Sequence, residues 1–111
     1  MLASDSGRLL VYASSFAPRE NRFKSISLAT ERMAKLLGAS VEVKTFRKRF
    51  RPIYVYYKNG DDEPIPVYCS NNDESDSKKV CSALRNMMFV LSFHPKHSAL
   101  KRFRKEIMLF S

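Results

Sequence analysis

Two aromatic side chains lie among the basic side chains of residues 44–51. Five of these eight residues are lysine or arginine, and Phe46 and Phe50 stand among them. Ammonium and guanidinium groups bind phosphate oxygens, and a phenyl ring beside them stacks on an unpaired base. The segment therefore predicts RNA-phosphate binding by Lys44, Arg47, Lys48, Arg49 and Arg51. A place on the core face of a strand is favoured over stacking for Phe46, while both roles are equally supported for Phe50.

A second basic segment covers residues 96–105, where five of ten residues are basic. Its predicted RNA contacts are Lys101, Arg102, Arg104 and Lys105, although a solvated helix face explains them equally well. Acidic residues are concentrated elsewhere, because six of the eleven lie between Asp61 and Asp76. With a formal net charge of +9, this separation favours a nucleic-acid or ribonucleoprotein partner over a basic protein that is merely soluble.

Side chains that could perform a reaction are few. Cys69 and Cys81 have the spacing of neither a metal site nor a redox motif, and both are predicted to be small buried residues, with a disulfide between them left open. His94 and His97 lack the companions of a metal site. The sequence shows no pattern of a nucleophile with its base, of paired catalytic carboxylates or of a glycine-rich phosphate loop. The sequence thus predicts a protein that is not an enzyme, with no catalytic residue, metal, cofactor or small-molecule substrate.

A chain of 111 residues predicts one domain, with a core over residues 8–94 and a basic helix over residues 98–110. Its longest apolar run is too short to span a membrane. Periodicity predicts strand 9–13, helix 23–37, strand 41–46, a hairpin turning at Asn59-Gly60, helix 77–91 and a last helix from Ser98. This order predicts an α/β fold, in which a βαβ unit with parallel strands precedes an antiparallel hairpin and a helix.

Spacing also predicts which faces are buried. Gly38 is expected to end the first helix and Ser77 to cap the second. The buried stripe of the second helix is predicted as Val80, Leu84, Met87, Met88 and Leu91. Alternation in the hairpin places Tyr54 and Tyr56 opposite Ile53, Val55 and Tyr57. We expect the first helix to cover one of these faces and a partner or the last helix to cover the other.

The hairpin resembles the C-terminal half of the thioredoxin fold. Pro52 directly precedes an apolar strand that ends in Lys58-Asn59-Gly60, and a second strand follows with Ile65, Val67 and Cys69. This resemblance implies a cis peptide bond at Arg51-Pro52. A thioredoxin carries its redox cysteine pair after the first strand, where this chain has Ser14-Ser15-Phe16-Ala17-Pro18-Arg19. Without a thiol there, disulfide exchange has no nucleophile.

The chain resembles more closely the small, redox-inactive thioredoxin-like family shared by mitochondrial ribosomal proteins and an accessory subunit of respiratory complex I. The matching pieces are residues 9–13, 23–37, 52–60 and 77–91, and residues 15–21 are similar to a mitochondrial large-subunit protein of this class, whereas the C-terminal basic helix departs from it. The resemblance implies a structural protein of the large mitochondrial ribosomal subunit. Such a protein would act in translation in the matrix by binding ribosomal RNA and neighbouring ribosomal proteins.

Two alternatives stay open. An accessory subunit of complex I would share the fold but would need fewer phosphate contacts, so the net charge of +9 argues weakly against it. A small RNA-binding domain of αβββα type has the same helix-strand-strand-strand-helix order, but it does not require the leading strand at residues 9–13.

Overall fold

The first strand, β1 (Arg8–Ser14), lies inside a four-stranded sheet in the computed structural model, which describes residues 7–70 and 76–110. The other strands are β2 (Ser40–Phe46), β3 (Ile53–Lys58) and β4 (Ile65–Ser70). The α-helices are α1 (Asn21–Leu37), α2 (Ser77–Leu91) and α3 (Arg104–Met108), and two 3₁₀ segments span Ala17–Arg19 and Pro95–Phe103. The described residues therefore form the α/β fold that the sequence predicts, with a mixed sheet.

The strands lie in the order β2-β1-β3-β4. Strand β1 is parallel to β2 and antiparallel to β3, and β3 is antiparallel to β4. Parallel neighbours need a crossover, which α1 supplies, whereas β3 and β4 are joined by a short turn. The predicted βαβ unit and the predicted hairpin are both confirmed.

The core lies between one face of the sheet and the helices. Leu9, Val11 and Ala13 of β1 are fully buried, and they pack in the same cluster as core residues from α1, α2, the second 3₁₀ segment and α3. Burial of a valine or leucine side chain contributes about 1.5–3 kcal/mol, so this single cluster provides the main stabilisation of the fold.

Helix α1 ends as predicted, at a glycine in the left-handed conformation. Gly38 has a φ of 68°, the amide of Ala39 donates to the carbonyl of Ala34 at 2.8 Å, and the amide of Gly38 donates to that of Lys35 at 3.3 Å. These paired bonds satisfy carbonyls that the helix end would otherwise leave open. The chain then turns directly into β2.

Helix α2 departs from the prediction in two details. Its cap is Asp76 rather than Ser77, because the Asp76 carboxylate accepts a hydrogen bond from the amide of Lys78 at 2.9 Å. Met87, which was predicted in the buried stripe, is 38% exposed, whereas Cys81 is buried as predicted. The stripe is centred between Leu84 and Met88, which places Cys81 inside it and Met87 at its margin.

Strand β4 contains an extra residue that changes the prediction for Cys69. Tyr56 pairs with Pro66 and Val55 pairs with Tyr68, so Val67 is an insertion in the ladder. Such a bulge reverses the alternation of side chains beyond it. Cys69 is therefore exposed rather than buried, while Cys81 is buried, and no disulfide joins the two.

The C-terminal segment is not the single helix predicted over residues 98–110. A 3₁₀ segment begins at Pro95, contains a non-helical residue at His97 (φ −119°, ψ 39°), and continues into the short helix α3. Its side chains Leu100 and Ile107 are nevertheless fully buried.

The peptide bond before Pro52 is trans, and no cis bond occurs among the described residues. The implied cis bond is therefore wrong. The trans form of such a bond is favoured intrinsically by about 0.5–1 kcal/mol, and the loop over residues 47–52 enters β3 in that form.

Candidate nucleic-acid interface

One face of the sheet is not covered by any helix in residues 7–70 and 76–110. The helices all pack on the face that carries Leu9, Val11 and Ala13. No helix connects β2 to β3, because residues 47–52 form a loop. We call the uncovered side the open face. On the helix side of the hairpin Tyr57 is fully buried, and its ring contacts His97 of the second 3₁₀ segment.

Five aromatic rings form a continuous row across the open face and onto the adjoining loop. Its centroid separations are 6.2 Å from Tyr54 to Tyr56, 5.1 Å from Tyr56 to Tyr12, 6.0 Å from Tyr12 to Phe46 and 6.2 Å from Phe46 to Phe50. These distances lie within the range of favourable ring pairs. We call these residues the aromatic row.

Strand register brings the row together. Tyr12 lies opposite Tyr54 across the β1–β3 pair and opposite Lys44 across the β1–β2 pair. Ser14 lies opposite Phe46. Because side chains alternate along a strand, Phe46 shares the open face with Lys44.

The prediction that Phe46 finishes a core face is wrong. Its side chain is 46% exposed, and its ring neighbours are Tyr12 on the open face and Phe50 in the adjoining loop. Strand β2 is an edge strand whose helix-facing residue Val43 is itself 45% exposed, so this end of the sheet offers Phe46 no core to enter. Tyr12 was missed, since its strand is an apolar run in which alternation gives no signal.

The first basic segment adjoins the aromatic row. The Lys44 ammonium lies 6.0 Å from the centre of the Tyr12 ring, a cation–π distance. Arg47, Lys48 and Arg51 are exposed in the loop that contains Phe50. The Arg49 guanidinium lies over the Phe16 ring, with 4.2 Å between the guanidinium carbon and the ring centre. The structure therefore places Lys44 beside the middle of the row and the other four predicted cations of this segment in the loop at its Phe50 end.

The second basic segment lies on the other side of the sheet. Helix α3 packs against α2 and α1, which cover the core face. Lys101, Arg102 and Lys105 are exposed there. The two basic segments therefore do not form one surface.

Arg104 is occupied within the chain. Its Nη2 donates to the Ser92 carbonyl at 2.9 Å, its Nε donates to the Ser92 hydroxyl at 3.2 Å, and its guanidinium carbon lies 3.8 Å from the centre of the Phe93 ring. These contacts fasten the C-terminal segment to the end of α2. Arg104, one of the predicted RNA contacts, therefore has a structural role.

Burial perturbs two titratable groups on the core side. It raises the pKa of Tyr57 to about 12. Burial also lowers the pKa of His97, and the charges of His94 and Lys96 act in the same direction while Asp62 opposes them. The two rings meet edge to face with centroids 5.5 Å apart. Within the described residues, no group of three histidine, cysteine or acidic side chains could hold a metal ion.

A cavity of about 290 Å³ lies at the end of the row, where Phe50 forms part of its wall. Residues 14–22, which follow β1, supply the opposite wall, and three arginines line the cavity: Arg22, Arg49 and Arg51. The sequence pattern assigned no role to Phe16 or Arg22 in such a cavity. Only the fold brings these two distant segments together.

Comparison of the chain with protein-family models, with curated proteins and with solved structures finds no match in any of the three. Over residues 7–70 and 76–110, no helix has both the length and the apolar character needed to cross a bilayer. Any assignment of function therefore depends on the geometry of the open face and on the resemblance to the thioredoxin-like family.

Proposed function

We propose that this chain is a non-catalytic, RNA-binding subunit of a ribonucleoprotein, and that the open face binds unpaired nucleotides. The observation that carries the proposal is the aromatic row, which no helix of residues 7–70 and 76–110 covers and which has Lys44 beside its middle and four further cations in the loop at its Phe50 end. Stacking of a base on an aromatic side chain is worth about 1–3 kcal/mol, and it tolerates any base because each has a flat π-face.

Cations beside such rings supply the second component of RNA affinity. Arg47 and Lys48 have no hydrogen-bond or ion-pair partner among the described residues. Their charges are available to neutralise backbone phosphates, with release of counterions from the strand. The aromatic row and the cations beside it together match the requirements for binding single-stranded RNA with little sequence preference.

The sheet order supports a thioredoxin-like form of the fold. Strands in the order β2-β1-β3-β4, with only the β1–β2 pair parallel, follow from the βαβ-ββα arrangement that the resemblance implies. The interior position of β1, paired on both sides, argues against an αβββα domain, which has no place for a leading central strand.

The proposed particle is the large subunit of the mitochondrial ribosome, where the chain would contact ribosomal RNA and neighbouring ribosomal proteins in the matrix during translation. This part of the proposal comes from the family resemblance. The second candidate, an accessory subunit of complex I, would use the same face against a protein. Its support is the concentration of half-buried tyrosines, a residue type enriched in protein interfaces.

Variants of the row test RNA binding directly. Replacement of Tyr56 or Phe46 by leucine keeps an apolar side chain and removes the ring face, so we expect affinity for single-stranded RNA to fall about tenfold for each. The matched control is Phe103→Leu, which removes a half-buried ring from the helix side. Fluorescence anisotropy with a labelled oligouridylate measures the affinities. Equal affinity of wild type and both row variants would contradict the proposal.

Sedimentation distinguishes the two particles. The tagged chain from an organelle lysate should migrate with the large ribosomal subunit in a sucrose gradient, and treatment with RNase should abolish that migration. Migration with complex I that is insensitive to RNase would support the second candidate. Migration as a free protein would exclude stable membership of either particle.

A further inference from the structure

The cavity beyond Phe50 has the composition of an anion site. Three guanidinium groups face it from two segments, whereas Glu20 supplies its only carboxylate among the described lining residues. That carboxylate is occupied, because it accepts a hydrogen bond from Arg22 Nη2 at 2.9 Å. The lining therefore carries more positive than negative charge, and its one acidic group is already paired.

Arg22 makes the cavity wall rigid. Its side chain is only 5% exposed, and its Nη1 donates to the Ser70 carbonyl at 3.1 Å while Nη2 holds Glu20. A buried guanidinium with two fixed partners cannot turn away from an arriving ligand, and its charge persists at all physiological pH values. The wall is therefore preorganised, and because Arg22 and Glu20 compensate each other, the excess positive charge of the lining comes from Arg49 and Arg51.

Arg49 is held in a different way, by stacking rather than by hydrogen bonds. Its guanidinium lies over Phe16, and none of its donors has a hydrogen-bond or ion-pair partner in the described part of the chain. Stacking fixes the plane of a guanidinium while leaving its N–H groups free around the edge. That arrangement suits two-point binding of an oxyanion.

The beginning of α1 adds a third favourable feature. Helix α1 has 17 residues, no side chain caps its first turn, and that turn contains no acidic residue. Glu20, the residue directly before the helix, has its carboxylate paired with Arg22, and these two residues place the positive end of the helix dipole at the cavity.

We infer that the cavity is a phosphate-binding subsite, in which Arg49 grips a phosphate group of the RNA strand that stacks on the aromatic row. This inference rests on the proposed function for the identity of the strand. Phe50 belongs both to the row and to the cavity wall, so a nucleotide stacked at the end of the row has its backbone beside Arg49. The phosphate comes from either the interior or the 5′ end of the strand.

The test compares Arg49→Gln with Lys48→Gln in the full chain. Both remove one charge from neighbouring loop positions, but Lys48 does not line the cavity. We expect Arg49→Gln to weaken binding of a 3′-labelled hexauridylate about tenfold and Lys48→Gln about twofold, since a bidentate contact is lost only in the first. If Arg49→Gln weakens binding of a 5′-phosphorylated strand more than binding of the unphosphorylated strand, the bound phosphate is the terminal one. If it weakens binding of both strands equally, the bound phosphate is an internal one.

Inorganic phosphate gives a readout that needs no RNA. Titration followed by amide NMR shifts should perturb residues 14–22 and 49–51 in the wild type and in Lys48→Gln, and should fail to do so in Arg49→Gln. Equal RNA losses in the two variants, with no localised phosphate shifts, would overturn the subsite and leave the proposed function standing. Absence of RNA binding by the wild type would overturn the proposed function instead, and the phosphate titration would still decide the subsite.

Discussion

Tyr57 lies at the centre of the core with a hydroxyl that has no hydrogen-bond partner in the described residues. The ring fills space between β3 and the helices and meets His97 edge to face. A buried hydroxyl without a partner costs desolvation without recovering a bond. The aromatic volume of Tyr57, rather than its oxygen, therefore stabilises the core.

The first prediction concerns Tyr57→Phe. Removal of the unpaired hydroxyl should leave the free energy of unfolding unchanged near neutral pH or raise it by up to about 1 kcal/mol. Burial raises the pKa of Tyr57 to about 12, so the folded state favours the neutral phenol. The contribution of this preference to the free energy of unfolding is complete below pH 10 and is lost as pH rises through about 12. Urea unfolding of the variant should show a smaller loss of stability in this alkaline range. A clear loss of stability at neutral pH would show that the hydroxyl is bonded.

Gly7 precedes β1 at a place where the backbone passes close to β3. Its φ is +80°, and a Cβ there would collide with the carbonyl oxygen of Lys58. Gly60 also has a positive φ of +60°, but no atom lies within 4 Å of the point that a Cβ would occupy, so only backbone strain opposes a side chain there.

The second prediction follows from this contrast. Gly60→Ala should cost about 1 kcal/mol, the usual strain of a left-handed residue, whereas Gly7→Ala should cost at least about 2 kcal/mol because backbone must also move. Urea unfolding curves for the two variants measure the difference. Similar losses in both would show that the contact with Lys58 relaxes easily.

The C-terminal segment is held against the other helices by its core residues and by Arg104. The 3₁₀ segment and α3 bury Leu100 and Ile107, but α3 has only five residues and cannot be stable alone. Arg104 connects this segment to the end of α2 through Ser92 and Phe93.

The third prediction is that Arg104→Gln lowers the free energy of unfolding by about 1–2 kcal/mol, because two charge-assisted hydrogen bonds and a cation–π contact are lost. Arg102→Gln is the control, since Arg102 is exposed and stacks only on Phe103. Thermal unfolding and amide exchange in α3 measure both effects. Equal stability of the two variants would remove the structural role assigned to Arg104.

The whole molecule separates its charges between two sides of the sheet. Lys44, Arg47, Lys48, Arg49 and Arg51 lie beside the aromatic row, while Lys101, Arg102 and Lys105 lie with the helices. A short strand bound along the row can reach only the first group. RNA that contacts both groups must pass around the edge of the sheet.

The fourth prediction uses this separation. For a short oligonucleotide, the logarithm of affinity should fall with the logarithm of salt concentration by about 0.7 per phosphate neutralised, giving a slope no steeper than about −3.5 for five cations. Joint replacement of Lys101, Arg102 and Lys105 by glutamine should leave this slope unchanged. A shallower slope in that variant would place the second basic segment in the same binding site.

The sequence predicted the elements well because their signals are local. Periodicity defined α1 and α2, Gly38 ended α1, and β-branched and aromatic residues marked the strands around Asn59-Gly60. The bulge at Val67 could not be predicted in this way, since an inserted residue leaves the composition of a strand unchanged. Exposure of Cys69 follows from that insertion alone.

The sequence by itself determined the chain's helices and strands, its excess of positive charge and the rings beside the first basic segment. Tertiary structure decided which of these features lie together. Strand register joined Tyr12 to Tyr54 and Phe46, the absence of a helix between β2 and β3 left that face open, and the packing of residues 14–22 against residues 49–51 formed the arginine-lined cavity. The physical reason is that periodicity specifies neighbours along one element, whereas a surface site depends on distances between elements far apart in the chain.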